Sequence, residues 1–237
     1  MGETDWDRSA AAWIADMAGG GDSSRVDVLD PVMVALAEGS GASEMLDVGC
    51  GEGRFCRMMA ARGLRCVGVD PTAALLAEAR RLDPGGTYLD GRAEALPVED
   101  GAFGLVVSYL SLIDIPGMEA AVAEMARALR PGGQCLIANL QSFSTASQIK
   151  GSGWQRQEDG SVRMTMSRYL EEHTHKAAWR GVEIENWHRP LSAYMQAFLC
   201  AGLRLVRFEE PPAIRPERAV RYNEAPYFLV MLWEKPV

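Results

Sequence analysis

The stretch Met45-Leu-Asp-Val-Gly-Cys-Gly-Glu-Gly-Arg-Phe55 constrains the fold more than any other part of the chain. A short apolar run ends in three alternate glycines, Gly49, Gly51 and Gly53, and a helix-compatible segment, Arg54 to Ala61, follows. That is the pattern of a buried strand turning tightly into a helix, where backbone N–H groups at the helix start can meet a ligand. The dinucleotide-binding fingerprint requires a glycine or alanine directly after Gly53, and here that position is Arg54. GxGxG by itself also occurs in plain strand–helix connections, so the rest of the chain has to decide.

A second apolar run, Cys66 to Val69, ends in Asp70, seventeen positions beyond Gly53, with Pro71 after it. A carboxylate at the tip of a second strand is where a ribose diol is held, because it accepts from both hydroxyls. Asp47 is a second carboxylate at the end of the first run. An anion there repels a pyrophosphate but suits an ammonium or a sulfonium. Apolar runs near 45–49, 65–69, 86–90, 103–110 and 134–140 read as strands, and helical patterns near 53–62, 72–82 and 117–130 lie between them. Such alternation predicts a parallel sheet with helices on both faces. Right-handed crossovers then bring the glycine turn and Asp70 side by side at the carboxyl edge, where such folds bind ligands.

With Asp90-Gly-Arg-Ala-Glu-Ala-Leu-Pro97, Phe103-Gly-Leu-Val-Val-Ser108 and Leu129-Arg-Pro-Gly-Gly133 added, the chain resembles a class I S-adenosylmethionine-dependent methyltransferase of the small, ubiquinone-biosynthesis-like type. The resemblance covers about residues 40–140. It implies an α/β, Rossmann-like, seven-stranded, mostly parallel sheet with S-adenosyl-L-methionine as cofactor and S-adenosyl-L-homocysteine as its product. The implied cofactor-binding positions are Asp47, Gly49, Cys50, Gly51 and Gly53 at the first turn, then Asp70 and Pro71. Arg92, Ala93 and Glu94 follow the third strand, and Ser108, Tyr109 and Leu110 end the fourth. Two departures stand out. Relatives carry an acidic residue at Arg92 that reads the adenine amino group, and Arg92 cannot accept a hydrogen bond, so backbone groups of Ala93 and Glu94, or the Glu94 side chain, would serve instead. Gly104 stands where an aspartate often follows the phenylalanine. Tyr109 would offer the sulfonium a ring face worth roughly 0.5–2 kcal/mol.

Residues 6–17 read as a short amphipathic helix with Trp6, Trp13 and Met17 on one face; Gly19-Gly20-Gly21 ends it, and Asp27 to Ala37 reads as a second helix. In the family, segments before the first strand cover the cofactor and an arginine pairs with its carboxylate. Arg25 and Trp13 are the candidates, with plain packing the alternative for Trp13. Residues 1–40 thus form a helical cover and 41–140 the cofactor-binding core. Residues 141–188, with alternating patterns around the turn Glu158-Asp-Gly160, read as a β-rich substrate lid inserted after the fifth strand. Residues 189–237 complete the core: a helix from Leu191 to Ala201, then strands at 203–208 and 227–233, which the resemblance implies close the sheet as an antiparallel hairpin.

Methyl transfer to oxygen or nitrogen benefits from a base, and imidazole titrates near neutral pH. Of the three histidines, His188, where the insert rejoins the core, ranks first as base or substrate contact, His173 second and His175 last. Asp114 is a further candidate, with a loop or cap carboxylate as its bland alternative. The aromatics read with the insert, Trp154, Tyr169, Trp179, Trp187 and Tyr194, suit a flat or apolar small molecule or a small β core. A net charge of −8 argues against a general grip on nucleic acid. Five cysteines without CxxC pairing imply neither disulfides nor zinc, and no metal site is expected. Without a basic-then-apolar leader or an apolar run near 18 residues, a cytoplasmic protein acting away from membranes is expected, as monomer or homodimer.

The leading expectation is therefore methylation of an oxygen or nitrogen on a small metabolite. Protein or RNA methylation, and a cofactor-binding relative that does not methylate, are the alternatives. A nicotinamide dehydrogenase is disfavoured by Arg54 and by the motifs after residue 90.

Overall fold

A computed structural model describes residues 4–19, 22–150, 152–215, 223 and 225–237, apart from the side chain of Val162. Gly20 and Gly21 of the expected helix break lie outside these; Gly19 caps the helix by donating to Ala15 and Asp16 carbonyls.

Seven strands form the main sheet. β1 (Glu44–Val48), β2 (Arg65–Asp70), β3 (Thr87–Asp90), β4 (Phe103–Tyr109) and β5 (Leu129–Leu140) run parallel in the order 3-2-1-4-5. β11 (Phe228–Glu234) lies antiparallel between β5 and β10 (Arg204–Glu209), closing the sheet as the family resemblance implied. The strand order reverses between β1 and β4, and a crevice opens beyond strand carboxyl ends at such a switch point.

Alternation along the strands makes two apolar layers. Leu46 and Val48 of β1 pack toward α5 (Met118–Ala128) and α7 (Leu191–Cys200), through Met118, Val122, Met125 and Phe198. Met45, Leu105 and Val107 face the other way, toward Phe55 and Met59 of α3 (Arg54–Ala60) and Met33 of α2 (Asp30–Gly39). Asp47 shares that second face, which carries its carboxyl under α3. A single π-helical turn, Arg25–Leu29, leads into α2, so the predicted second helix starts in a different geometry from its continuation.

α1 (Asp5–Ala18) begins at a capping box: Thr4 Oγ1 accepts from the Asp7 amide at 3.1 Å and Asp7 accepts from the Thr4 amide at 2.8 Å. A third, smaller core joins Ala10 and Trp13 of α1 to Leu75 of α4 (Ala73–Leu82) and to Val182 and Ile184. The last two belong to the insert. After β5 the chain forms a short helix, α6 (Ser142–Ala146), which the sequence pattern did not suggest, and then two separate antiparallel hairpins. β6 (Gly153–Arg156) pairs β7 (Val162–Thr165), and β8 (His173–Trp179) pairs β9 (Val182–His188). The second hairpin packs on α1. Among the described residues no helix is long and apolar enough to cross a membrane.

Candidate active site

A cavity of about 370 Å³ opens at the switch point, between the carboxyl ends of the sheet, α1 and β9. One wall is the glycine turn. Gly49, Gly51 and Gly53 all adopt left-handed φ angles, of 76°, 56° and 75°, where a side chain costs roughly 1–2 kcal/mol. At Gly49 the space is missing as well, since a Cβ would fall 2.3 Å from the Ser111 Cβ. Asp70 fixes the turn: it accepts from the Gly51 amide at 2.9 Å and from the Thr72 amide at 2.8 Å. A carboxylate has about four acceptor positions, so these two donors leave it capacity for a ligand.

Asp47 is 2% exposed and borders the cavity. Its Oδ2 faces the Cys56 thiol at 3.5 Å, and its Oδ1 has no hydrogen-bond partner. Burial, reinforced by Asp70 and Glu52, pushes its carboxyl up to about 7. Such an orphaned acceptor in a cavity wall is a place for a donor or a cation.

At the end of β4, Leu110 holds a left-handed φ of 57°, a strained conformation for a branched residue. Tyr109 donates to Asp30 at 2.8 Å, and Arg54 grips the same carboxylate from α3. Arg54, in the place of the fingerprint glycine, thus braces α2 against the glycine turn. Arg25 stacks over Trp13 at 5.0 Å and over Tyr109 at 5.3 Å, and reaches Asp22 at 3.1 Å. The Tyr109 face expected to meet a ligand cation is therefore already met by Arg25. Trp13 does more than pack: its Nε1 donates to Glu52 at 2.9 Å across the cavity floor.

The second wall is assembled from remote segments. Asp114, in the turn after β4, accepts from Trp6 Nε1 at 3.1 Å and from the Asn186 amide of β9. Its carboxyl is pushed up to about 7, chiefly by burial, against those two hydrogen bonds. Trp6 meets Trp13 edge-on at 5.6 Å. Asp5, Ile184, Glu185 and Trp187 complete this side. Arg189 lies behind it, 4.8 Å from the Trp187 ring, and donates to the carbonyls of Ile115 and Pro116 at 2.8 and 3.0 Å.

A methyltransferase-domain family matches residues 46–137, the span from the glycine turn through β5. The crystal structure of an S-adenosylmethionine-dependent methyltransferase from Mesorhizobium loti superposes with a TM-score of 0.76 at 25% identity, over 86% of this chain and 96% of that one. The core is a class I methyltransferase domain. Malonyl-[acyl-carrier protein] O-methyltransferase of Serratia marcescens is 34% identical over 54% of this chain and 49% of its own length. The chain thus spans about half the length of the curated relatives it matches. The CcbJ methyltransferase of Streptomyces caelestis, at 17% identity and a TM-score of 0.69, shares the fold over the full length of both chains.

Within this methyltransferase domain the expected positions divide. Asp47, Gly49, Cys50, Gly51, Asp70, Pro71, Arg92, Ala93, Glu94, Tyr109, Leu110, Trp13, Arg25 and Asp114 all border the cavity. Gly53 and Ser108 do not. A Cβ on Gly53 would meet the Tyr88 ring at 2.6 Å, so its role is to let α3 start against β3. Ser108 is buried beneath the site, bonded to Ser111 Oγ at 2.7 Å.

The histidines require correction as base candidates. His188 is fully buried off the cavity, with Nδ1 2.7 Å from Thr145 Oγ1 and Nε2 2.9 Å from the Tyr169 carbonyl. A carbonyl can only accept, so Nε2 carries the proton, and burial lowers the ring pKa and keeps it neutral. Both nitrogens are engaged in holding α6 and the insert together. The His173 ring packs tilted against His188 at 4.8 Å, and His175 is pushed down to about 4 by burial and by those two rings. None of the three borders the cavity. What the sequence reading missed is Trp6, Glu52, Asn186 and Glu185; the seven-residue spacing of Trp6 and Trp13 was the one available sign.

Proposed function

We propose that the protein is a methyltransferase that binds S-adenosylmethionine on the glycine-turn wall and a small-molecule acceptor against the second wall. The observation that carries this reading is the meeting of both walls in one cavity, with the orphaned Asp47 on one side and Asp114 on the other. The residues fit the cofactor: Asp70 for the ribose diol, Asp47 for the cationic amino end, Arg25 for the carboxylate. Ala93 and Glu94 would serve the adenine, since Arg92 has no acceptor. When bound, the cofactor supplies an electrophilic methyl group on a sulfonium. The chain's contribution is alignment in a site shielded by Trp6, Trp13 and Trp187, where positioning lowers the barrier more than acid–base chemistry does. Asp114 has the environment to take a proton from an acceptor near neutral pH.

Oxygen as the receiving atom is supported by the names of the malonyl-carrier relatives. Their match covers only about half of those proteins, and nitrogen is supported instead by the carboxylates around the cavity. Incubation of the protein with methyl-labelled S-adenosylmethionine and a cell extract should place label in the small-molecule fraction. Label in protein or nucleic acid would overturn the small-molecule acceptor, and no label despite cofactor binding would contradict methyl transfer.

A further inference from the structure

We infer that the second wall takes a cationic amine carried on an aromatic or apolar frame, in preference to a carboxylate or phosphate. This rests on the methyltransferase reading above and names its acceptor class, an amine bound as its ammonium that gives a proton to Asp114 before its nitrogen lone pair takes the methyl group from the sulfonium. Asp5, which also pairs with Arg8 on its own helix, Asp114 and Glu185 border the cavity from three different elements, and no lysine or arginine among the described residues borders it on this wall. The cations that do border the cavity are Arg25, Arg54 and Arg92. Arg25, beside Asp22 at 3.1 Å, is the one assigned above to the cofactor's carboxylate, and Arg54 and Arg92 already face Asp30 and Glu94, the latter at 3.3 Å. An anionic acceptor would have to strip one of these pairs while approaching Glu185 and Asp114, and like charges brought together disfavour a partner.

The aromatic groups point the same way. Arg25 covers Trp13 and Arg189 covers Trp187, so two of the three tryptophans already face a guanidinium. Among the described residues no cation lies over Trp6, whose indole N–H is committed to Asp114. A ring face beside a carboxylate is the pairing that recognises ammonium groups. The orphaned Oδ1 of Asp47 adds a buried acceptor to the same cavity.

The test is calorimetric titration of the protein saturated with S-adenosylhomocysteine. Tryptamine, tryptophol and indole-3-acetate are the probes, because they share one ring and differ in terminal charge. Tryptamine should bind about tenfold more tightly than indole-3-acetate, with tryptophol between them. Glu185→Gln, on the exposed rim, should reduce that preference by about threefold, and Asp114→Asn should nearly abolish it. Equal or tighter binding of the acid, binding of none of the three, or a preference unchanged in both variants would overturn the amine assignment. If S-adenosylhomocysteine itself did not bind, the methyltransferase reading would fail and this inference with it. Bound S-adenosylhomocysteine without amine preference would defeat the inference alone.

Discussion

The wall formed by Gly49, Gly51 and Asp70 is held through backbone amides, whereas the wall formed by Trp6, Asp114 and Asn186 is held through side chains. The first wall sits at the tips of β1 and β2, central strands fixed on both sides by neighbours. The second joins α1, a turn and a hairpin whose β8–β9 sheet has no strand of the main sheet beside it. A backbone-held wall keeps its shape whether or not a ligand is present, which suits a cofactor common to a family. A side-chain-held wall can be rebuilt by a few substitutions, which suits an acceptor that differs between relatives.

The largest effect that would break this contrast is expected at Gly49. Gly49→Ala combines left-handed strain with a Cβ 2.3 Å from Ser111, and should cost about 3 kcal/mol of stability in a urea titration. A loss under about 1 kcal/mol would mean that the turn is softer than its geometry implies. Next comes Asp70→Ala, which removes the acceptor from two amides and from a ribose diol. S-adenosylhomocysteine affinity should fall about 100-fold by calorimetry, with charged hydrogen bonds worth roughly 1.5–3 kcal/mol each; an unchanged affinity would remove Asp70 from the binding wall.

Asp47 gives a pH signature. Its folded value of about 7 lies above the ordinary 3.8, so the folded state holds a proton that the unfolded chain releases first. The unliganded fold therefore loses stability as pH rises from about 4 to about 7, and the cost is complete above that range. Affinity for the cationic cofactor should move oppositely, rising between about pH 6 and 8 by no more than tenfold per unit. Asp47→Asn should flatten that profile. A profile equally steep in the variant would assign the titration to another group.

The smallest effect on binding is expected at His188. His188→Gln should lower stability by about 1–2 kcal/mol, for two altered hydrogen bonds, while S-adenosylhomocysteine affinity stays within about twofold. A large fall in affinity with stability intact would return His188 to the site.

The glycine-turn wall was legible in the sequence because its parts are local. Met45 to Phe55 carries the strand, the turn and the helix start, and Asp70 ends the next apolar run. The second wall was not, because Trp6 and Asn186 reach Asp114 across 108 and 72 positions of chain. Histidine type and position suggested a base at His188, but strand alternation decided otherwise. Val182, Ile184, Asn186 and His188 are the buried face of β9, so His188 points inward with them. The two-hairpin insert was legible as β-rich and not as two independent sheets, since a strand's partner is a tertiary property.

The most direct test of the account is the crystal structure of the protein with S-adenosylhomocysteine. The ribose diol should lie on Asp70, the amino end beside Asp47, and the sulfur should face Trp6, Asp114 and Trp187. A ligand bound outside this cavity, or turned so that its sulfur faces away from the second wall, would contradict it.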